Sequence, residues 1–177
     1  MHTLGVIFDM DGVLVDSKPA HFASWQASAA DRGFSLDQAQ YDRLFGHGYQ
    51  VFIRELADGH LDAEAALEWY HDKEARYRAI VRTRPPVMPG AEDLLVALDE
   101  AGFGLAIGSA GPRGNVELIQ QSMREGQRFR LWLSADDVTH PKPAPDVFLA
   151  CAKGLGCAPE HCLVVEDSLH GLAAARA

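Results

Sequence analysis

Short apolar runs recur along the chain, and small or charged residues follow each of them. A near-continuous apolar run is typical of a strand buried in a parallel sheet, where both faces are covered. The predicted strands are Leu4–Phe8, Phe103–Ile107, Leu131–Leu133 and Cys162–Val165. From residue 87 onward the strands alternate with helical patterns, which predicts an α/β fold with a doubly wound parallel sheet.

Apolar residues at helical spacing predict the helices of this alternating region. One predicted helix contains Leu94–Leu98, a second contains Val116–Met123 and a third covers Pro145–Leu155. A further helix is expected to start near Ser168. Proline in the first turn of the third helix fits the preference for proline at helix starts.

The stretch between the first two predicted strands has a different character. It is rich in Ala, Leu, Glu, Gln and Arg, and four helices are expected at Pro19–Arg32, Leu36–Phe45, Val51–Ala57 and Ala63–Val81, before Pro85-Pro86 ends the block. The chain is long enough for one core, or for one domain with a smaller one inserted. We therefore expect a catalytic core over 1–16 and 85–177, with an inserted helical domain over 17–84.

The balance of charged residues limits the kinds of partner that the protein is expected to bind. The 177 residues include 16 basic and 25 acidic side chains, which give a net charge of −9. This charge opposes binding to nucleic acid or to an anionic membrane surface. We expect neither partner, and an anionic substrate would need local cations or a metal. The sequence contains no apolar stretch long enough for a membrane span and no signal sequence pattern, so the expected location is the cytoplasm.

The three cysteines, Cys151, Cys157 and Cys162, form an odd set without a CxxC spacing. This weakly supports a disulfide framework or a zinc site, and free thiols packed in the core are the preferred interpretation.

Candidate chemistry begins where the first strand ends, at Asp9, Asp11 and Gly12. Side chains two apart on an extended segment point the same way, so both carboxylates can face one site. In open α/β sheets ligands collect at the carboxyl ends of the strands. The alternative is a solvated Asp-Gly turn.

The other strands place further polar residues at the same edge. Ser109 follows the second strand, Glu166 and Asp167 follow the fourth, and Lys142 precedes the last long helix. Singly, these are open to other interpretations: a turn serine, a surface lysine and a helix cap. Together, four converging carboxylates require a cation, and carboxylate ligands without His or Cys indicate Mg²⁺.

These motifs, in this order, resemble the haloacid dehalogenase superfamily of aspartate-nucleophile phosphotransferases, close to its β-phosphoglucomutase-like and phosphatase branch. The resemblance implies a Rossmann-like core and a four-helix cap over 17–84. It implies that Asp9 is the nucleophile and Asp11 the general acid and base. It implies that Ser109, Ala110 and Lys142 bind phosphate. It implies a Mg²⁺ site at Asp9, Glu166, Asp167 and the backbone carbonyl of Asp11.

Four further residues are candidates for substrate contacts. By resemblance, His21 and Trp25 lie where the cap joins the core and Lys73 falls near a cap lysine of the mutases. Helical spacing also suits packing roles for His21 and Trp25, and a solvated helix lysine is the default for Lys73. Arg113 follows the serine motif.

The sequence departs from the family pattern in three places. The presence of Asp11 speaks against dehalogenation, because the dehalogenases of the family lack the second aspartate. The loop Phe45–Gln50 lacks the arginine of the mutases, which weakens a mutase assignment. The family continues into another strand and helix where this sequence stops at Arg176-Ala177, so we expect the final edge of the sheet to be missing.

The preferred hypothesis is a Mg²⁺-dependent phosphatase, a phosphoric monoester hydrolase that acts on a small phosphorylated metabolite such as a sugar phosphate. A phosphosugar mutase is the alternative within the same chemistry. A catalytically weak, truncated binding protein is the alternative from another class. The sequence leaves the oligomeric state and the identity of the substrate open.

Overall fold

The computed structural model describes residues 4–177. Contacts divide the chain into two compact units. The first contains the described residues up to Ser17 together with Pro85–Ala177, and the second is Lys18–Arg84.

The first unit is built on a parallel sheet. Its strands are β1 (Gly5–Phe8), β2 (Gly104–Gly108), β3 (Leu131–Leu133) and β4 (Cys162–Val165), in the spatial order β3-β2-β1-β4. The order places β1 in the interior of the sheet, which is why its residues are buried throughout. The prediction of a doubly wound parallel sheet is confirmed, and the bounds of β3 and β4 are those predicted.

Four helices of this unit follow or precede the strands: α5 (Ala91–Glu100), α6 (Arg113–Ser122), α7 (Asp146–Leu155) and α8 (Leu169–Arg176). Ile7 and Ala106 pack in one hydrophobic cluster with residues of α7 and α8. Their neighbours Val6, Phe8 and Ile107 are also buried, so β1 and β2 are covered on both faces. Pro145 stands at the cap position before α7 instead of within its first turn.

The second unit is helical. It contains α1 (Lys18–Ala30), α2 (Gln38–Leu44), α3 (Tyr49–Leu56) and α4 (Ala63–Thr83), which pack around an aromatic-rich cluster that includes Trp25, Tyr41 and Trp69. The predicted helices are present, with ends displaced by up to a few residues. The displaced start of α2 has a local cause, because Asp37 and Gln40 form a capping box there. Asp62 caps α4, which begins at Ala63 as predicted.

Within the part of the chain that the structure describes, no helix has both the length and the apolar character of a membrane span.

Candidate active site

The carboxyl edge of the sheet carries the candidate residues because each strand runs directly into one of them. The Asp9 amide donates to the Val165 carbonyl at 2.9 Å, and the Ser109 amide donates to the Leu133 carbonyl at 2.9 Å. Both residues therefore extend the sheet hydrogen bonding by one position. Since β4, β1 and β2 are neighbours, Asp9 lies between the strand end that carries Glu166 and the one that carries Ser109.

Lys142 bridges two of the carboxylates. Its Nζ donates to Asp9 Oδ1 and to Glu166 Oε1, each at 2.7 Å, and its side chain is only 4% exposed. The ammonium group also lies 4.6 Å from the centre of the Phe148 ring. The interpretation of Lys142 as a surface lysine is therefore wrong, because a buried ammonium with two carboxylate partners is part of the site.

Asp9 is the most perturbed carboxyl group of the cluster. Burial raises its pKa from an ordinary value of 3.8 to about 7, although Lys142 acts to lower it, and the charges of Asp11 and Glu166 raise it further. Like charges that converge in a buried site disfavour ionisation, and one lysine does not balance them. The site is built to receive additional positive charge.

Glu166 is held from two sides. Burial acts to raise its pKa, but hydrogen bonds from Lys142 and Ser168 bring the pKa below its ordinary range. The Ser168 amide and hydroxyl both donate to Glu166 Oε2, at 2.7 and 2.9 Å. The same hydroxyl accepts the Gly171 amide at 3.0 Å, so Ser168 caps α8 and anchors Glu166 at once.

Two glycines leave the space that the carboxylates of Glu166 and Asp167 occupy. A Cβ at Gly171 would overlap the Glu166 carboxylate, and a Cβ at Gly12 would overlap Asp167. Gly12 also has a φ of +82°, which favours glycine. Ser168 and Gly171 support the site without belonging to any of the motifs recognised in the sequence. The only signal was their position one and four residues after Asp167, at the start of a helix.

The donor set suits a divalent cation. One oxygen each of Asp9, Glu166 and Asp167 lies within 4.8 Å of the others. Partial burial and the charges of Glu166 and Asp11 raise the pKa of Asp167, as expected for carboxylates gathered without a counterion. Hard oxygen ligands of this kind fit Mg²⁺ or a similar cation. The role of the Asp11 carbonyl as a further ligand stays a prediction.

Asp11 and Ser109 face a common small space beside Gly111. The position of a Cβ on Gly111 would be 3.2 Å from Ser109 Oγ and 3.6 Å from Asp11 Oδ2. Ser109 Oγ also accepts the Gly111 amide at 2.9 Å, so the serine shapes its own turn. Ala110 is exposed between them. Phosphate binding by Ser109 and Ala110 stays a prediction.

Two of the candidates in the helical unit, Lys73 and His21, contact each other. Lys73 is 2% exposed, and its Nζ lies 2.8 Å from Glu74 Oε1 and 2.7 Å from His21 Nδ1. The default interpretation of Lys73 as a solvated lysine is therefore wrong. His21 also stacks on Tyr77 at 3.9 Å between ring centres.

Trp25 belongs to the packing of the helical unit. It is buried and stacks on Phe52 at 4.3 Å between ring centres. This contact matches the packing role considered for Trp25, whereas a substrate contact from it, from His21 or from Lys73 stays a prediction.

Arg113 is engaged away from the carboxylate cluster. Its amide donates to Asp136 Oδ2 at 2.8 Å and its guanidinium to Asp137 Oδ1 at 2.7 Å. It lies on the rim of a cleft of about 340 Å³ beside β3 that Phe129 and Trp132 also line. A substrate contact from Arg113 stays a prediction.

Comparison with known proteins connects this site to one family. The family model of the haloacid dehalogenase-like hydrolases matches residues 3–177. The chain is 30% identical to the protein CbbY of Rhodobacter capsulatus, over 100% of this chain and 82% of that protein. It is 31% identical to a fructose-1-phosphate phosphatase of Escherichia coli, over 98% of this chain and 91% of that protein. It is 33% identical to hexitol phosphatase A of the same organism, over 98% and 81%.

Solved structures share the fold. A hydrolase of the same family from Entamoeba histolytica superposes with a TM-score of 0.89 at 28% identity, over 98% of this chain and 79% of that one. A β-phosphoglucomutase from Clostridium difficile superposes with a TM-score of 0.82 at 23% identity, over 99% and 81%, a likeness that concerns the fold alone.

Proposed function

The chain belongs to the haloacid dehalogenase-like hydrolases, and from this premise we propose that it is a Mg²⁺-dependent phosphatase of small phosphorylated metabolites. We propose a sugar phosphate as substrate and an aspartyl phosphate on Asp9 as intermediate. One observation carries the proposal: Asp9 is buried at the end of β1, is bound by Lys142, and lies within one cluster with Glu166 and Asp167. The phosphatases of fructose 1-phosphate, phosphoglycolate and hexitol phosphates among the relatives support the substrate class.

The first step uses Asp9 as the nucleophile. Its carboxylate attacks phosphorus, the bond between phosphorus and the ester oxygen breaks, and Asp11 protonates the leaving oxygen. Lys142 holds Asp9 Oδ1 and so fixes the orientation of the carboxylate before attack. Asp9, Glu166 and Asp167 would hold a cation, which when bound would supply positive charge to the transferring phosphoryl group.

The second step releases the product. Asp11, now ionised, takes a proton from water, and the oxygen of that water attacks phosphorus. Phosphate leaves, and Asp9 is regenerated as a carboxylate. The space that Asp11 and Ser109 share beside Gly111 supports placing this proton transfer at Asp11.

We further propose that the helical unit selects the substrate, with Lys73 and His21 as the first residues to test. Their buried pairing, together with Glu74, is a charged group that core packing alone does not require.

The experiment is a phosphate-release assay on fructose 1-phosphate, phosphoglycolate, a hexitol phosphate and glucose 1-phosphate, with Mg²⁺ and with a chelator. We expect Mg²⁺-dependent release of phosphate from at least one of them, and loss of release by several orders of magnitude in Asp9→Asn. Conversion of glucose 1-phosphate into a 6-phosphate without free phosphate would support a mutase instead. Folded protein without turnover on the whole panel would contradict the proposal.

A further inference from the structure

A pair of cysteines lies at the two ends of the connection between α7 and β4. Cys157 directly follows Gly156, the C-terminal cap of α7, and Cys162 is the first residue of β4. A short 3₁₀ turn, Pro159–His161, separates them. Neither cysteine is part of a disulfide. Cys157 is 8% exposed, whereas Cys162 is partly exposed and therefore the one that a reagent reaches first.

The two sulfur atoms meet above Gly5, the residue that pairs with Cys162 across β1 and β4. The point where a Gly5 Cβ would stand is 3.1 Å from Cys162 Sγ and 3.5 Å from Cys157 Sγ. A Cβ here would press on Leu155 Cδ1, at 2.9 Å, and on Cys162 Sγ, so Gly5 leaves the space in which the two thiols lie close to one another. The side chains of Cys157 and Cys162 are also in hydrogen-bonding contact.

A backbone carbonyl lies at a long distance from each of these thiols. Cys162 Sγ lies 3.6 Å from the Ala158 carbonyl and Cys157 Sγ lies 4.0 Å from the Leu155 carbonyl. Thiols are weak hydrogen-bond donors, so turning both sulfurs towards each other sacrifices little.

The geometry points to a modification site: we propose that Cys157 and Cys162 form a reversible intramolecular disulfide by exchange with a small-molecule disulfide. The Cys162 thiolate attacks one sulfur of the reagent, whose S–S bond breaks and releases one thiolate. The Cys157 thiolate then attacks Cys162 Sγ in the mixed disulfide and displaces the second small thiolate. The two protons lost by the cysteines end on the two released thiols. The protein loses two electrons and two protons, and one reagent disulfide becomes two thiols.

The bond would fasten the end of α7 to the beginning of β4. Glu166 and Asp167 follow the opposite end of this strand, so the disulfide lies away from the carboxylate cluster along β4. The inference therefore stands independently of the proposed phosphatase activity.

The surroundings of Cys162 also set how the reaction depends on pH. Partial burial raises the pKa of Cys162, and the neighbouring Cys157 and the charge of Glu160 act in the same direction. Because the thiolate is the attacking species, exchange should be slow at neutral pH and should accelerate as the solution becomes alkaline.

The test uses the folded protein and 2-hydroxyethyl disulfide, a neutral reagent, followed by acid quench, alkylation of remaining thiols, tryptic digestion and mass spectrometry. Trypsin separates the pair from the third cysteine, because Cys157 and Cys162 fall in Gly154–Arg176 and Cys151 falls in Leu131–Lys153. We expect Gly154–Arg176 to lose two hydrogens and to resist alkylation, and dithiothreitol to reverse both changes. Cys151, buried with its thiol on the Ile107 carbonyl at 3.3 Å, should be alkylated only after unfolding.

Three variants separate this pair from nonspecific oxidation. Cys151→Ala should form the disulfide as the natural sequence does. Cys157→Ala should stop at the mixed disulfide on Cys162, and Cys162→Ala should react much more slowly. In the unsubstituted protein, two reagent adducts on Gly154–Arg176, a disulfide between two chains, or no reaction at alkaline pH would each overturn the proposal. Because these outcomes are measured on the unsubstituted protein, they test the proposal even if a variant fails to fold.

Discussion

At the scale of single residues, the site concentrates negative charge where the fold would be more stable without it. Asp9 is 6% exposed, and its cationic partner, Lys142, is shared with Glu166. Burying several carboxylates around one lysine costs stability in the absence of a further cation. A cation bound among these carboxylates would supply the positive charge that the cluster needs.

The first prediction concerns the stability of the metal-free protein. The pKa of Asp9 is raised to about 7 in the fold, above its ordinary 3.8, so the folded form retains a proton that the unfolded chain has lost between these values. The contribution of Asp9 to stability is therefore present at low pH and is lost as the pH rises through about 7. Asparagine does not ionise, so the Asp9→Asn variant does not lose stability in this way. Above about pH 7 we expect its free energy of unfolding to exceed that of the natural sequence by up to a few kcal/mol.

Thermal unfolding in a chelator at about pH 5 and about pH 8 measures this difference. Asp16→Asn is the matched control, because Asp16 is an exposed aspartate on the same loop. An Asp9→Asn advantage that does not grow with pH would show that the burial of charge at Asp9 is not the cause.

The second prediction concerns Gly171. A Cβ at this position would overlap the Glu166 carboxylate, so Gly171→Ala must displace Glu166 from Lys142 and Ser168. We expect Mg²⁺ affinity to fall by roughly 10-fold or more, the usual effect of disturbing the support of a metal ligand. Isothermal titration with MgCl₂ measures it without any substrate.

Gly154→Ala is the control for the second prediction. It makes the same change in another helix, where the added methyl group meets the flexible side chain of Leu131. Unchanged Mg²⁺ affinity in Gly171→Ala, or an equal loss in both variants, would remove Gly171 from the account.

At the scale of elements, strand ends position the chemistry and helix caps refine it. β3 and β4 were predicted to the residue, because an apolar run bounded by polar residues marks a buried strand from both sides. Helix ends were less accurate, because they depend on caps such as Asp37 with Gln40, which stand outside the apolar periodicity. The sequence also could not show that Ser168 both caps α8 and binds Glu166. Only the folded structure brings the Glu166 carboxylate and the Gly171 amide to the same hydroxyl.

The third prediction separates these two roles of Ser168. Ser168→Ala and Asp62→Ala each remove the side-chain cap of a helix, α8 and α4 respectively. Both should lower the free energy of unfolding by ~1 kcal/mol. Only Ser168→Ala should also weaken Mg²⁺ binding, because Ser168 contacts Glu166 and Asp62 belongs to the other unit. Denaturant unfolding and Mg²⁺ titration of both variants test this, and equal Mg²⁺ affinity in the two would contradict the role given to Ser168.

At the scale of the whole molecule, each compact unit contains a buried lysine. Lys142 pairs with Asp9 and Glu166 in the first unit, and Lys73 pairs with Glu74 in the second. The sequence predicted the four strands, the acidic cluster and the family, because these depend on local runs and ordered motifs. The predicted bounds of β1 and β2 were wrong by one residue, since β1 begins at Gly5 and β2 is Gly104–Gly108. Sequence reasoning assigned Lys73 to solvent, because lysines are mostly exposed and burial of a charge becomes visible only with its partners. The same limit applies to Glu74 and Tyr77, which the fold places beside Lys73 and His21.

The central claim is that Asp9 becomes covalently phosphorylated, and chemical trapping tests it most directly. Asp11→Asn should slow the attack of water and allow the aspartyl phosphate from an activated aryl phosphate to accumulate, because a good leaving group needs little protonation. Acid quench and borohydride reduction convert an acyl phosphate into a primary alcohol, which fragmentation of the tryptic peptide Met1–Arg32 can locate. We predict the alcohol at position 9, dependent on Mg²⁺ and substrate and absent when Asp9→Asn is added. Continued turnover with Asp9 unmodified, or the alcohol at another carboxylate, would contradict the account.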